Sequence, residues 1–459
     1  MPSNDTGIPS TEGFGVHRDD HDTIVVQLDG AKRWQIYGTT RPYPLYRDIE
    51  DPGEAPTEPV TDLVLRPGDV LDELRAEGPV HLVRMPSGAE RWLITRYDDV
   101  VAALADPRLS NELARGLQQS LPPEPLPPRW QVTLRTSRLL GRAMANLDPP
   151  DHDRLRKLVV RAFGARRVDG LRPRIERGAD ELFDAAEGLP RFDLFEAVAN
   201  RLPVTVICEL LGVPDSDADL FRTAASVLGG FQADDEAALR TVAALDAFDA
   251  YVRPLVAERR ATPGPDLLSE LITTPADGSP LTDDELVSMA GLLLFGGYEP
   301  SAHLIGNALL ALLQHPDQLD ALRADPSLLP RAVEEAIRYD GPVTPGLSRY
   351  ALDDVEIGGT TIPKGSYVIV GVAAANRDPD HWADPDRFDL TRPDTTRRLG
   401  FGHGLHYCVG ARLAALEVEI VLATALRRFP RLCLAVPAEQ LRRRAGSVRG
   451  LVELPLRTD

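Results

Sequence analysis

Ten residues concentrate more chemical potential than any other stretch of the chain: Phe401-Gly402-His403-Gly404-Leu405-His406-Tyr407-Cys408-Val409-Gly410. Cys408 stands just ahead of a helical run, Ala411 to Arg428. Free N–H groups and the helix dipole at such a terminus favour a thiolate, hence a metal ligand or a nucleophile. Glycines at 402, 404 and 410 let the backbone approach something flat or bulky. A zinc site made of His403, His406 and Cys408 would need all three to face inward from a six-residue loop, with no close His or Cys as fourth ligand. Cys208 and Cys433 lie in apolar runs and read as packing residues.

A second unusual run is Gly296-Gly297-Tyr298-Glu299-Pro300-Ser301, which sets two glycines, a carboxylate and a proline into an otherwise apolar stretch. Proline lacks an N–H and its ring crowds the carbonyl of residue 296, so a kink is expected there. Two spaced pairs complete the set. His152 and Arg156, four apart, share one helical face, and Glu335 and Arg338, three apart, would in isolation be a weak surface pair.

These groups must be carried mainly by helices. From about Asp98 to Leu329 apolar residues recur at three- and four-residue spacing between proline and glycine stops. The longest helix begins at Thr282-Asp283-Asp284-Glu285, a capping-box pattern, and runs to about Gln314. At that length it spans roughly 48 Å, enough to cross a domain and line a site. Strands are few: hairpins are expected for Thr23–Leu28 with Lys32–Tyr37 around Asp29-Gly30, for 80–84 with 91–95, and for 355–357 with 361–362 around Gly358-Gly359. Residues 51–60, rich in proline, glycine and acid, place a boundary near Val60, which leaves an extension over 1–60 and a main domain over 61–459.

Composition excludes several classes. The chain has 459 residues, a net charge of −19 and 43% apolar residues, which speaks against a partner read through its phosphates and for a globular protein. No apolar run of about 20 residues could span a bilayer, and Asp19, Asp20 and Asp22 stand where a secretory signal would be basic and then apolar. With only three scattered cysteines the expected location is the cytoplasm.

The run Phe401 to Gly410 fits Phe-Gly-x-Gly-x-His-x-Cys-x-Gly, and from Thr61 onward the sequence resembles the soluble bacterial cytochrome P-450 family. The resemblance implies a mainly α fold with small β-sheets that binds haem b. It makes Cys408 the thiolate ligand of the iron, with Phe401 packed beside the sulfur and Gly402 and Gly410 shaping the loop. His406, His152, Arg156 and Arg349 become donors to the two haem propionates. Glu335 and Arg338 become a structural pair behind the haem, joined by Arg387 from Pro385-Asp386-Arg387-Phe388. Relatives usually carry Ala/Gly-Gly-x-Asp/Glu-Thr in the long helix, the threonine holding water and relaying protons. Here proline fills that slot, so Gly297, Glu299, Pro300 and Ser301 are the candidate catalytic stretch, with Glu299 and Ser301 as relay groups.

The implied reaction is O₂- and electron-dependent hydroxylation or epoxidation of a bulky apolar substrate, free or carrier-bound, in secondary metabolism. Oxidative aryl coupling on the same haem and a non-catalytic helper of the same fold are the alternatives. Substrate contacts are expected from Leu113, Leu117, Trp130, Val227, Leu228, Phe231 and Leu293. No flavin or iron–sulfur motif is present, so electrons would come from NAD(P)H through ferredoxin reductase and an acidic ferredoxin. From Arg387 to Arg449 twelve arginines face five acids, and Arg397, Arg398 and Arg412 are the expected docking charges. The opening segment resembles part of the cupin-type JmjC oxygenases, with His17 and Asp19 in the place of their iron-binding pair, but about 50 residues cannot supply the full barrel and the later histidine. Cys408→Ser should leave a folded protein without the thiolate-type absorption of its reduced carbon monoxide complex. Normal turnover in that variant would show that the ligand is another residue.

Overall fold

The computed structural model describes residues 61–458 apart from 66, 85–88, 113, 117–124, 229–234, 276–277, 345 and 445–447, and ahead of them two strands, Ile24–Val25 and Lys32–Ile36. Helices dominate as the spacing predicts, and the longest, Asp283–Gln314, runs through the largest hydrophobic cluster. Its start is the expected capping box: Glu285 N–H donates to Thr282 Oγ1 and Thr282 N–H donates to Glu285 Oε2. That exchange satisfies two backbone donors that a bare helix end leaves open. The helix runs on through Pro300 to Gln314, the end expected from the sequence. Gly297 admits the neighbouring helix Leu202–Leu211, because a Cβ there would lie 2.7 Å from Ile207 Cδ1.

Val80–Arg84 and Glu90–Ile94 pair as the expected antiparallel hairpin, and Val355–Ile357 pairs with Thr360–Ile362 around Gly358 and Gly359, both at positive φ. Tyr367–Val370 joins the first hairpin in parallel and pairs on its other side with Leu347–Ala351, the strand that carries Arg349. Among the described residues, the two strands expected to flank Asp29-Gly30 pair with other strands and not with each other. Ile24–Val25 runs parallel to Val80–Arg84, and Lys32–Ile36 pairs with Thr61–Leu65.

A buried ionic cluster ties the main helices to the segment that precedes the cysteine loop. Glu335 and Arg338, both on the helix Leu329–Asp340, are fully enclosed and form a two-bonded pair, Nε to Oε2 at 2.7 Å and Nη2 to Oε1 at 2.8 Å. The third member is Arg392, whose Nε donates to Glu335 Oε1 at 3.0 Å, and not Arg387. Arg387 is exposed and offers only its carbonyl, which accepts from both Arg338 and Arg392. Removing one member of such a buried set strands the others, at a cost of about 3–5 kcal/mol. Arg392→Met should therefore lower the melting temperature and haem retention sharply, while Arg387→Met leaves both near the parent. Equal effects in the two variants, read by thermal melts and haem absorbance, would restore Arg387 to the cluster.

Candidate active site

The cysteine loop is shaped by backbone conformation. Gly402 and Gly404 sit at φ of +76° and +70°, which only glycine adopts without strain, and Cys408 N–H donates to the Phe401 carbonyl at 2.9 Å. The turn so made delivers Cys408 to the start of the helix Ala411–Arg428, with Gly410 at its N-cap. Burial pushes the Cys408 thiol up, opposed by the N–H groups of Gly410 and Ala411. A positive charge at the sulfur would offset that desolvation. Cys408 opens on a cavity of about 440 Å³. The long helix forms part of its wall through Gly296, Gly297, Pro300 and Ser301, and Phe401, Gly402 and Gly410 complete the cysteine side.

Donors from three distant stretches of chain meet on the same cavity: His152 and Arg156 from the helix Asp151–Ala162, Arg349 from its strand, and His406 from the loop. His152 is fully buried; its Nδ1 pairs with Asp153 at 2.9 Å, but its Nε2 has no partner. The rings of His152 and His406 lie 4.3 Å apart. Burial first, then His152 and Arg349, push His406 down to about 4. Arg349 is 4% exposed, donates to the carbonyl of its neighbour Ser348, and is pushed down to about 10 by burial. Arg156 Nη2 donates to the Tyr407 carbonyl at 2.6 Å. One buried and one half-buried guanidinium, with an orphaned imidazole nitrogen, around a cavity that Cys408 lines fit a flat group carrying two carboxylates and a metal.

The cytochrome P450 family model matches residues 234–435. Cytochrome P450 107B1 of Saccharopolyspora erythraea is 46% identical over 385 residues, which cover 83% of this chain and 92% of that relative. The chain belongs to the cytochrome P450 family. Mycinamicin IV hydroxylase/epoxidase of Micromonospora griseorubida is 40% identical over 391 residues, 84% of this chain and 94% of the relative. The tirandamycin C-bound structure of the P450 monooxygenase TamI aligns with a TM-score of 0.78 at 42% identity, over 86% of this chain and 97% of that one. This P450 is thus a haem-thiolate monooxygenase, and no helix among its described residues is long and apolar enough to cross a membrane. A JmjC domain model matches residues 3–72; His17 and Asp19 lie outside the described residues.

Within the long helix of this P450 the two relay candidates separate. Ser301 lines the cavity, whereas Glu299 does not: its Oε1 lies 3.0 Å from Arg444 Nη1, toward the C-terminal segment. The group missed in the sequence is Glu417, nine residues beyond the cysteine and 1% exposed, with both carboxylate oxygens lacking a hydrogen-bond partner. It lines the same cavity, where the Ser301 hydroxyl approaches it without the alignment of a hydrogen bond. Burial pushes Glu417 up to about 8, with Ser301 opposing. A signal was present in the spacing: Leu413, Glu417, Ile420 and Thr424 share one helical stripe, and all are buried.

Of the expected substrate contacts, Leu293 lines the cavity and Trp130 does not. Leu113, Leu117 and Phe231, and the side chains of Val227 and Leu228, lie outside the described residues. Folded protein keeps the Glu417 proton up to about pH 8, whereas the unfolded chain releases it near 4.5. Glu417 therefore contributes stability below pH 4.5 that is lost as pH rises toward 8. Glu417→Gln should flatten the fall in melting temperature over that interval relative to the parent, and parallel profiles would show that Glu417 is ionised at neutral pH.

Proposed function

We propose that this P450 hydroxylates or epoxidises a bulky, mainly apolar secondary metabolite, free or carrier-bound, with electrons from NAD(P)H delivered by ferredoxin reductase and ferredoxin. The carrying observation is that one cavity is lined by Cys408, by Gly296, Gly297, Pro300 and Ser301 of the long helix, and by His152, Arg156, Arg349 and His406. Bound haem supplies the activation of O₂ at iron. His152, Arg156, Arg349 and His406 would hold its carboxylates, while Leu292, Leu293 and Ile207 keep the cavity apolar. Pro300 offers no hydroxyl, so Ser301 holds water near the helix and Glu417 holds a proton in the wall behind it. That supply favours insertion of an oxygen atom over oxidative coupling. The relative named a hydroxylase/epoxidase and TamI with its bound tirandamycin C support the reaction and substrate class. The proline-, glycine- and acid-rich stretch 51–60 supports reading residues 1–60 as an extension.

For the electron donor we propose a groove of about 750 Å³ along the helix Asp151–Ala162, where Arg154, Arg156, Lys157 and Arg161 outnumber one acid, Asp153. Val160, Leu405 and Tyr407 add exposed apolar area on the helix and the cysteine loop. Of the arginines expected from the sequence, Arg398 is the one withdrawn from the surface. Arg398 is 8% exposed, pairs with Glu334 and lies 4.8 Å over the Phe401 ring, while Arg397 and Arg412 are paired with Asp394 and Asp169. A basic groove beside the ligand loop suits an acidic partner.

Incubation with NADPH, ferredoxin reductase, ferredoxin and a panel of macrolides should yield a product heavier by one oxygen atom drawn from labelled O₂. In the same assay Lys157→Glu with Arg161→Glu should slow ferredoxin-dependent reduction about tenfold, and added salt should slow the parent. Products lighter by two hydrogens would favour coupling, and a reduction rate indifferent to both charge and salt would reject the groove.

A further inference from the structure

Glu299 occupies the acidic position of the long helix, one residue before Pro300, yet its side chain leaves the cavity and enters a buried polar cluster. Its carboxylate is 6% exposed, 3.0 Å from Arg444 Nη1 and 4.0 Å from His303 Nε2 one helical turn on. Arg444 Nη1 also donates to His303 Nε2 at 3.2 Å. Burial, with Arg444 and Arg443 nearby, pushes His303 down to about 3, so it stays neutral and accepts from Arg444. The ring is pressed against Gly450, where a Cβ would fall 1.9 Å from Nδ1.

A turn further along the helix, Asn307 Nδ2 donates to the carbonyls of Asp340 and Arg449. Asp340 in turn holds Arg449 at 2.7 Å and Arg443 at 2.8 Å, and these two guanidinium groups keep its carboxyl well below the usual range. The segment so gripped folds back on itself: Arg444 N–H donates to the Gly450 carbonyl and Val452 N–H to the Arg442 carbonyl. It meets the cavity wall directly. Arg449 N–H donates to the Pro342 carbonyl at 2.6 Å and Val343 bridges to Val448, and both Pro342 and Val343 line the cavity.

We infer that Glu299 and Arg444 form a positioning pair that docks the returning C-terminal segment on the long helix, and thereby sets the substrate-side wall at Pro342 and Val343, and that Glu299 is not a proton donor to the haem side. The stripe 299, 303 and 307 follows the four-residue spacing of one helix face, while Gly296, Gly297, Pro300 and Ser301 lie at the cavity. One helix thus separates wall placement from proton supply. Burial outweighs the Arg444 attraction and pushes Glu299 up to about 7, which agrees with a carboxyl enclosed among protein groups.

The inference rests on the P450 assignment, so the parent's reduced carbon monoxide spectrum is recorded first; its failure would remove the assignment and not merely the pair. With haem-loaded protein and 4-phenylimidazole as probe, binding is read from the absorbance shift and backbone opening from hydrogen exchange over residues 448–452. Glu299→Gln and Arg444→Met should each weaken probe binding about tenfold and speed exchange about tenfold. The double variant should do no more than either single. Arg444→Lys and Glu299→Asp should show smaller losses of the same kind, and they carry the comparison if a harsher variant does not load haem. Parental affinity and exchange in either harsher variant, or a Glu299→Gln effect confined to the solvent isotope effect on NADPH oxidation, would overturn the inference.

Discussion

Polar groups buried without a full set of protein partners are the constraint on which this molecule is organised. His152 Nε2, the Arg349 guanidinium and the Glu417 carboxyl are enclosed around one cavity. Each would cost several kcal/mol if nothing answered it. They hold position because the elements that carry them are secured elsewhere: the helix of His152 by the Arg154 pair with Glu285 on the long helix, the strand of Arg349 by ladders on both sides. Haem would answer the first two, because its carboxylates suit the imidazole and guanidinium donors, and Cys408 would hold its iron.

Rigidity behind the cavity comes from charge that is fully matched. Glu335 accepts from Arg338, Arg392 and the Asp389 N–H, and Arg338 spends its remaining donors on the carbonyls of Asn376, Pro385 and Arg387. This saturated cluster ties the Leu329–Asp340 helix to the meander that leads into Phe401. A second set, Asp340 with Arg443 and Arg449, closes the chain's C-terminal return over the same helix end, with Arg443 Nη1 left unpartnered. Buried charge networks specify geometry more than they add net stability.

The long helix divides labour by face. Small residues and Pro300 border the cavity, Gly297 lets the Leu202–Leu211 helix come close, and Glu299, His303 and Asn307 grip the C-terminal segment. Substituting proline for the usual threonine therefore removes a hydroxyl from the cavity while the helix stays continuous, and leaves Ser301 and Glu417 as the polar groups of that wall.

Local chemistry was legible in the residues alone. The ligand loop depends on glycine conformations and a helix start a few residues apart, so Cys408 and its surroundings followed from spacing, as did the capping box at Thr282 and two of the three hairpins. Tertiary structure decided what depended on the path of irregular chain or on which helix face met which neighbour. Arg387 and Arg392 lie five residues apart in one meander, and only its folding brings the second to Glu335. Glu299 and Glu417 are both helix acids by sequence. In the folded chain the first faces Arg444 and the second lines the cavity, because a helix fixes spacing but not the neighbour each face will meet.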